Sequence, residues 1–158
     1  LPLGEGQRVG LVGPPGTGKS RAARMLLRSQ PSDTACVYVA QKPLTYLQGL
    51  FGHGSSGGAA LTVIYADPLR DSVGARYLAP LCAMQLASQL SSKHRHVLVV
   101  LDDLVAFTQA AAELPVPPVG LPQVLASALD AAGNVALGGC EVAHSVVGVL
   151  DLEPEGEL

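Results

Sequence analysis

An eight-residue stretch near the start of the chain has the composition of a phosphate-binding loop. It consists of Gly13, Pro14, Pro15, Gly16, Thr17, Gly18, Lys19 and Ser20. These residues match the pattern G-x-x-x-x-G-K-[ST] completely. Glycines let the backbone curl tightly, so that successive N–H groups point at phosphate oxygens. An ordinary glycine-rich turn with a chance lysine is the alternative, and it is disfavoured because an apolar run precedes the stretch and a helical pattern follows it.

Two side chains of this stretch are expected to act on a bound nucleotide. Lys19 is expected to contact the β- and γ-phosphates as a flexible point charge. Ser20 is expected to supply its hydroxyl to Mg²⁺, which prefers oxygen ligands. The predicted cofactors are therefore ATP or ADP together with Mg²⁺.

Two adjacent carboxylates, Asp102 and Asp103, follow the most apolar run of the chain, residues 97–101. A carboxylate at the end of such a strand can hold a water on Mg²⁺, and Asp102 is predicted to do so. The alternative for either residue is to cap the helix that begins at Leu104. Asp103 is expected to be that cap.

The rest of the chain alternates between apolar runs and segments with helical spacing, which predicts an α/β fold with a mainly parallel sheet covered by helices on both faces. The predicted strands are residues 8–12, 35–40, 61–66, 97–101 and 145–152, and the predicted helices are 19–29, 43–50, 75–91, 104–114 and 121–132. The first and second strands are expected to be buried. Phosphate sites in such sheets lie at the carboxyl ends of strands, where both the glycine-rich stretch and Asp102 are found.

Length and composition favour one nucleotide-binding domain spanning residues 1–158. Apolar residues make up 48% of the 158 residues and charged residues 15%, which is typical of a globular chain. The net charge of −3 and the lack of a basic patch disfavour nucleic-acid partners. The sequence contains no run of about 18 apolar residues, so direct membrane insertion is not expected. Cys36, Cys82 and Cys140 form no C-x-x-C pair, which favours reduced, buried thiols in an intracellular, reducing compartment.

Several short segments together resemble a known family. Residues 37–42 (V-Y-V-A-Q-K), 77–80 (Y-L-A-P) and 101–104 (L-D-D-L) are similar to the alpha subunit of F-type ATP synthase. Residues 74–76 (G-A-R) and 107–110 (F-T-Q-A) are closer to the beta subunit. Their order and spacing resemble the nucleotide-binding domain of this alpha/beta family. The resemblance implies a RecA-like P-loop fold that works in rings with other protein subunits and binds nucleotide at subunit boundaries.

The departures from the family pattern bear on catalysis. Catalytic beta-type subunits carry a glutamate after the second strand that positions the attacking water, and Gln41 is the nearest match here. A neutral amide does not accept the water's proton as a carboxylate does. The family's arginine finger lies beyond the last strand, so the chain is expected to be a fragment or truncated relative of a longer one.

These features favour a binder of Mg-ATP that hydrolyses it slowly or not at all, as a regulatory or structural subunit of a larger assembly. The alternative is an active ring ATPase with Asp103 or a residue in trans as the base, so Gln41 and Asp103 are the catalytic candidates within this chain. Gln41 could instead be a solvent-facing loop residue, and Lys42 either a surface charge or a nucleotide neighbour. Arg76 is expected to form an ion pair on a helix surface.

Overall fold

The computed structural model describes residues 3–51, 59–114 and 145–151. Its elements along the chain are β1 (Arg8–Gly13), α1 (Lys19–Arg28), β2 (Thr34–Ala40), α2 (Leu44–Phe51), β3 (Ala60–Tyr65), α3 (Val73–Leu90), β4 (His96–Asp102), α4 (Leu104–Glu113) and β5 (Ser145–Asp151). Each coincides with a predicted element, with ends that differ by no more than two residues. The helix predicted at residues 121–132 and the third cysteine, Cys140, lie outside the described residues.

The five strands form one sheet in the order β1-β5-β4-β2-β3, and every neighbouring pair is parallel. The predicted α/β fold of the RecA-like type, with a parallel sheet, is therefore confirmed. Because all strands run in one direction, β1, β2 and β4 end at the same edge of the sheet. Gly13, Ala40 and Asp102 are the last residues of these three strands, and the segments that follow them meet at that edge.

Helices cover both faces of the sheet, because successive side chains of a strand point to opposite faces. One face buries Cys36, Tyr38 and Ala40 of β2 with Leu98 and Val100 of β4, and α1 and α2 pack on it. The other face buries the intervening residues of the same strands, and α3 and α4 pack there. The two central strands are consequently apolar throughout, as expected for strands buried on both faces.

Helix α3 packs on the sheet through small residues. Ala79, Ala83 and Ala87, spaced four residues apart, are buried, whereas Leu78 is 52% exposed. The sequence shows leucines at helical spacing in this segment; the buried stripe is formed by the alanines, and Leu86 and Leu90 pack partly buried against the same core. A stripe without long side chains lets the helix backbone approach the sheet closely.

The first strand differs from its prediction. A buried strand is expected for residues 8–12, yet Val12 is 57% exposed and every residue of β1 is half-buried or exposed. The reason is its position, since β1 pairs only with β5 and forms one edge of the described sheet. Within the described ranges, no helix combines the length and the apolar character needed to cross a membrane.

Candidate functional site

The loop between β1 and α1 has the backbone conformation that its glycines allow. Gly16 and Gly18 have φ angles of 79° and 87°, in the left-handed region that residues with a Cβ rarely adopt. Gly18 is also the N-cap of α1. Because glycine has no side chain, the cap residue makes no side-chain hydrogen bond to the first N–H groups of the helix. These N–H groups are the donors that bind phosphate at the start of a helix.

Lys19 lies across this loop rather than extending into solvent. Its Nζ donates to the carbonyl oxygens of Gly13, at 2.8 Å, and Pro14, at 2.6 Å, and to Thr17 Oγ1 at 3.2 Å. Thr17 Oγ1 in turn donates to Pro14 O at 2.8 Å. The loop thus holds the ammonium group next to the glycines, where it can exchange carbonyl partners for phosphate oxygens.

Asp102 lies under this loop as a buried carboxylate with two partners. It is 1% exposed at the carboxyl end of β4. Tyr38 Oη donates to its Oδ2 at 2.5 Å, and Lys42 Nζ lies 3.0 Å from its Oδ1. Burial, and then the charge of Asp102, raise the pKa of Tyr38, so the phenol remains a donor.

Lys42 connects this carboxylate to the glycine-rich loop. Its Nζ lies 3.4 Å from Ser20 Oγ and 5.2 Å from the ring centroid of Tyr46. Burial is the largest single influence and lowers the pKa of Lys42, but the contacts with Asp102 and the charges of Tyr46 and Asp103 together outweigh it, and the pKa lies above its usual value. The side chain is 19% exposed and ion-paired, so the interpretation of Lys42 as a plain surface charge is wrong.

The two oxygens predicted to serve Mg²⁺ converge in the structure. Ser20 Oγ and Asp102 Oδ1 both contact the same ammonium group. Each oxygen of a carboxylate can accept two contacts, so the ion pair with Lys42 at 3.0 Å leaves the buried Asp102 Oδ1 a further acceptor position. A hydroxyl and a carboxylate are the oxygen ligands that Mg²⁺ prefers, and these residues therefore fit the ion.

An open cleft of about 360 Å³ lies over these groups. Its size is within the range of small-molecule sites, roughly 300–1,000 Å³. It is lined by Gly16, Gly18, Lys19, Ser20, Arg21, Lys42 and Tyr46. Arg21 and Tyr46 were not singled out from the sequence. The position of Arg21 directly after the loop was the available signal, whereas Tyr46 reaches the cleft only through the packing of α2.

Comparison with known proteins agrees with this geometry. The family model described as "ATP synthase alpha/beta family, nucleotide-binding domain" matches residues 1–118, which is most of the chain. The chain belongs to the ATP synthase alpha/beta family.

Two relatives show how much of a family member the chain represents. It is 31% identical over 125 residues to ATP synthase subunit alpha of Wolinella succinogenes, covering 75% of this chain and 25% of the relative. It is 36% identical over 120 residues to ATP synthase subunit alpha 1 of Hahella chejuensis, covering 72% of this chain and 24% of the relative. The chain spans about a quarter of the length of these ATP synthase subunits.

Gln41, predicted from the sequence to be the nearest match to the beta-type glutamate, is not among the residues that line the cleft. It is 4% exposed, so the interpretation as a solvent-facing residue is wrong. Its Nε2 donates to the backbone carbonyl of Arg76 in α3 at 2.7 Å. Pro80 lies four residues further along α3 and has no N–H to donate to that carbonyl. Gln41 therefore supplies the hydrogen bond that the helix lacks.

The predictions that Asp103 caps a helix and that Arg76 forms an ion pair are confirmed. Asp103 is the N-cap of α4, and its Oδ1 accepts a hydrogen bond of 2.8 Å from Val105 N. Arg76 forms an ion pair with Glu113 at 2.9 Å, which connects α3 to α4. Of the two catalytic candidates, Gln41 is thus engaged with α3 and Asp103 with α4, and neither lines the cleft.

Proposed function

We propose that the chain binds ATP or ADP with Mg²⁺ in the cleft over residues 13–20. The observation that carries the proposal is the convergence of Ser20 Oγ and Asp102 Oδ1 beside the loop that holds Lys19. A chance glycine-rich turn has no reason to place a buried carboxylate and a hydroxyl around one cation. Membership of the ATP synthase alpha/beta family supports nucleotide as the ligand.

Each group has a separate task in this proposal. The backbone N–H groups at the start of α1 bind phosphate oxygens, and Lys19 neutralises part of their charge. Ser20 contacts Mg²⁺ directly and Asp102 holds one of its waters. Mg²⁺, when bound, screens the negative charge of the phosphates. Tyr38 fixes Asp102 by its hydrogen bond to Oδ2, which leaves Oδ1 for the metal side.

We further propose that the chain by itself hydrolyses ATP slowly or not at all. A general base contributes roughly 10²–10⁴-fold to rate. None of the residues that line the cleft in the described part of the chain carries a carboxylate. Gln41 is an amide that donates to Arg76, and Asp103 accepts from Val105. The chain would then hold nucleotide as a regulatory or structural subunit, in line with relatives that are named as subunits of ATP synthase.

Binding and turnover are tested on the same purified chain. Titration with Mg-ATP and Mg-ADP is expected to show saturable binding at one site. Phosphate release is expected to stay below about one per second, the low end of enzyme turnover. Faster release that disappears in Lys19→Ala would reject the inactive role. A further loss in Asp103→Asn, which keeps a good capping residue, would then assign the base to Asp103.

A further inference from the structure

Lys42 holds a position that a metal ion is expected to hold. Its ammonium group lies between Ser20 Oγ, at 3.4 Å, and Asp102 Oδ1, at 3.0 Å. These are the two oxygens assigned above to Mg²⁺ and to its bound water. Lys42 comes two residues after the end of β2, on the same sheet face as Tyr38 and Asp102, and this turn directs it under the loop.

Magnesium and this ammonium group cannot be bound there together. Mg²⁺ binds oxygen ligands at about 2.0–2.1 Å and keeps several waters in a near-octahedral shell. An ion that contacts Ser20 and reaches Asp102 through water fills the space between the two oxygens, which Lys42 Nζ occupies. Two positive charges in that space also repel each other strongly, because Asp102 is almost fully buried and water screens the pair poorly.

We propose that Lys42 is a built-in substitute for the magnesium ion, which arranges Ser20 and Asp102 in the metal-free protein and moves aside when Mg²⁺ enters. This inference rests on the proposed nucleotide site. The side chain lines the cleft, so its displaced ammonium group faces the space where the phosphates bind. The Tyr46 ring, at 5.2 Å, stabilises the cation in this part of the cleft.

The consequence is an unusually small dependence of nucleotide binding on Mg²⁺. Without the metal, Lys42 supplies a positive charge beside the loop and the chain still binds ATP. When Mg²⁺ is present, part of the gain in ATP affinity that the metal provides is offset, because the contact between Lys42 and Asp102 is lost. Removing the charge at residue 42 therefore weakens metal-free binding and strengthens the effect of Mg²⁺.

The test compares ATP affinity in Mg²⁺ and in EDTA for the wild type, Lys42→Met and Lys93→Met. Methionine keeps the length of the lysine stem, and Lys93 is an exposed lysine in the turn after α3 that controls for net charge. The ratio of the dissociation constant in EDTA to that in Mg²⁺ is expected to rise about 10- to 100-fold in Lys42→Met, the effect of one charge-assisted hydrogen bond. It is expected to stay at the wild-type value in Lys93→Met.

An unchanged ratio in a Lys42→Met protein that binds Mg-ATP overturns the inference and leaves the proposed function intact. Absence of Mg-ATP binding by the wild type overturns both. Should Lys42→Met fail to fold, the ¹⁵Nζ resonance of Lys42 in the wild-type protein provides the test instead. That resonance is expected to persist with ATP in EDTA and to shift when Mg²⁺ is added, and its indifference to Mg²⁺ overturns the inference.

Discussion

The side-chain amide of Gln41 donates a hydrogen bond of 2.7 Å to the backbone carbonyl of Arg76. In an uninterrupted helix this carbonyl accepts from the N–H of the residue four positions later, which here is Pro80. Helix α3 continues through Pro80 without that bond, and the part-buried carbonyl accepts from the loop after β2 instead. Gln41 therefore connects the edge of the sheet that carries the cleft to α3.

This relationship predicts that Gln41 and Pro80 are energetically coupled. Gln41→Ala is expected to lower the free energy of unfolding by about 1 kcal/mol, because it leaves a part-buried carbonyl without a protein donor. In a Pro80→Ala background the helix supplies the N–H, so the cost of Gln41→Ala is expected to fall by about half or more. Chemical denaturation of the four proteins measures the coupling.

Gln48→Ala provides the control for this cycle, since Gln48 is an exposed glutamine in α2. It is expected to change the free energy of unfolding by less than about 0.5 kcal/mol in either background. Purely additive effects of Gln41→Ala and Pro80→Ala would show that the hydrogen bond to Arg76 does not compensate for the proline.

The contrast between Gln41 and the glycine-rich loop shows what sequence could predict. The loop is a local pattern, because its glycines, Lys19 and Ser20 are neighbours in the chain and their spacing alone predicts a phosphate-binding loop. The strands could be predicted equally well, since β2 and β4 are continuous apolar runs. Asp102 and its capping neighbour Asp103 could be assigned because both directly follow such a run.

Contacts between distant segments could not be predicted in this way. Gln41 and Arg76 are brought together only when β2 packs beside α3, and Lys42 reaches Asp102 only when β2 pairs with β4. The residues that form the buried stripe of α3 could not be predicted for a related reason. Leucines and alanines both recur at helical spacing there, and the close approach to the sheet selects the alanines. Likewise, Cys82 was expected to be buried but is exposed, whereas Cys36 on β2 is buried.

The metal role of Asp102 predicts a loss that depends on Mg²⁺. Asp102→Asn keeps the shape and an acceptor for Tyr38 but removes the charge that holds the metal-bound water. ATP affinity is expected to fall about 10- to 100-fold in Mg²⁺, the effect of one charge-assisted hydrogen bond, and much less in EDTA. Calorimetric titrations under both conditions measure the difference. Equal losses would instead indicate a defect of folding.

The buried Tyr38 predicts a loss of stability in alkaline solution. Burial, and then Asp102, raise the pKa of Tyr38 above its ordinary value of 10.0, and the pKa of Lys42 is raised above 10.5. As the pH rises, Tyr38 and Lys42 therefore lose their protons at a lower pH in the unfolded chain than in the folded protein. The stabilisation is therefore fully present below about pH 10 and is lost as the pH rises through the folded values.

Denaturant unfolding between about pH 8 and pH 11.5 tests this dependence. The free energy of unfolding is expected to decline above about pH 10 in the wild type. The decline is expected to be shallower in Tyr38→Phe, which has no phenolic proton to release. Tyr65→Phe, at an exposed tyrosine of β3, serves as the control and should follow the wild type. Parallel curves for the wild type and Tyr38→Phe would contradict the assignment.

The central claim, that the loop of residues 13–20 binds the phosphates of a nucleotide, is tested most directly by calorimetric titration of Lys19→Ala with Mg-ATP. This change removes the ammonium group that the loop holds against Gly13 and Pro14. Affinity is expected to fall about a hundredfold or more, because several charge-assisted hydrogen bonds to phosphate are lost. Lys93→Ala, which removes an exposed lysine, is expected to bind like the wild type. An unchanged affinity in a folded Lys19→Ala protein would contradict the account.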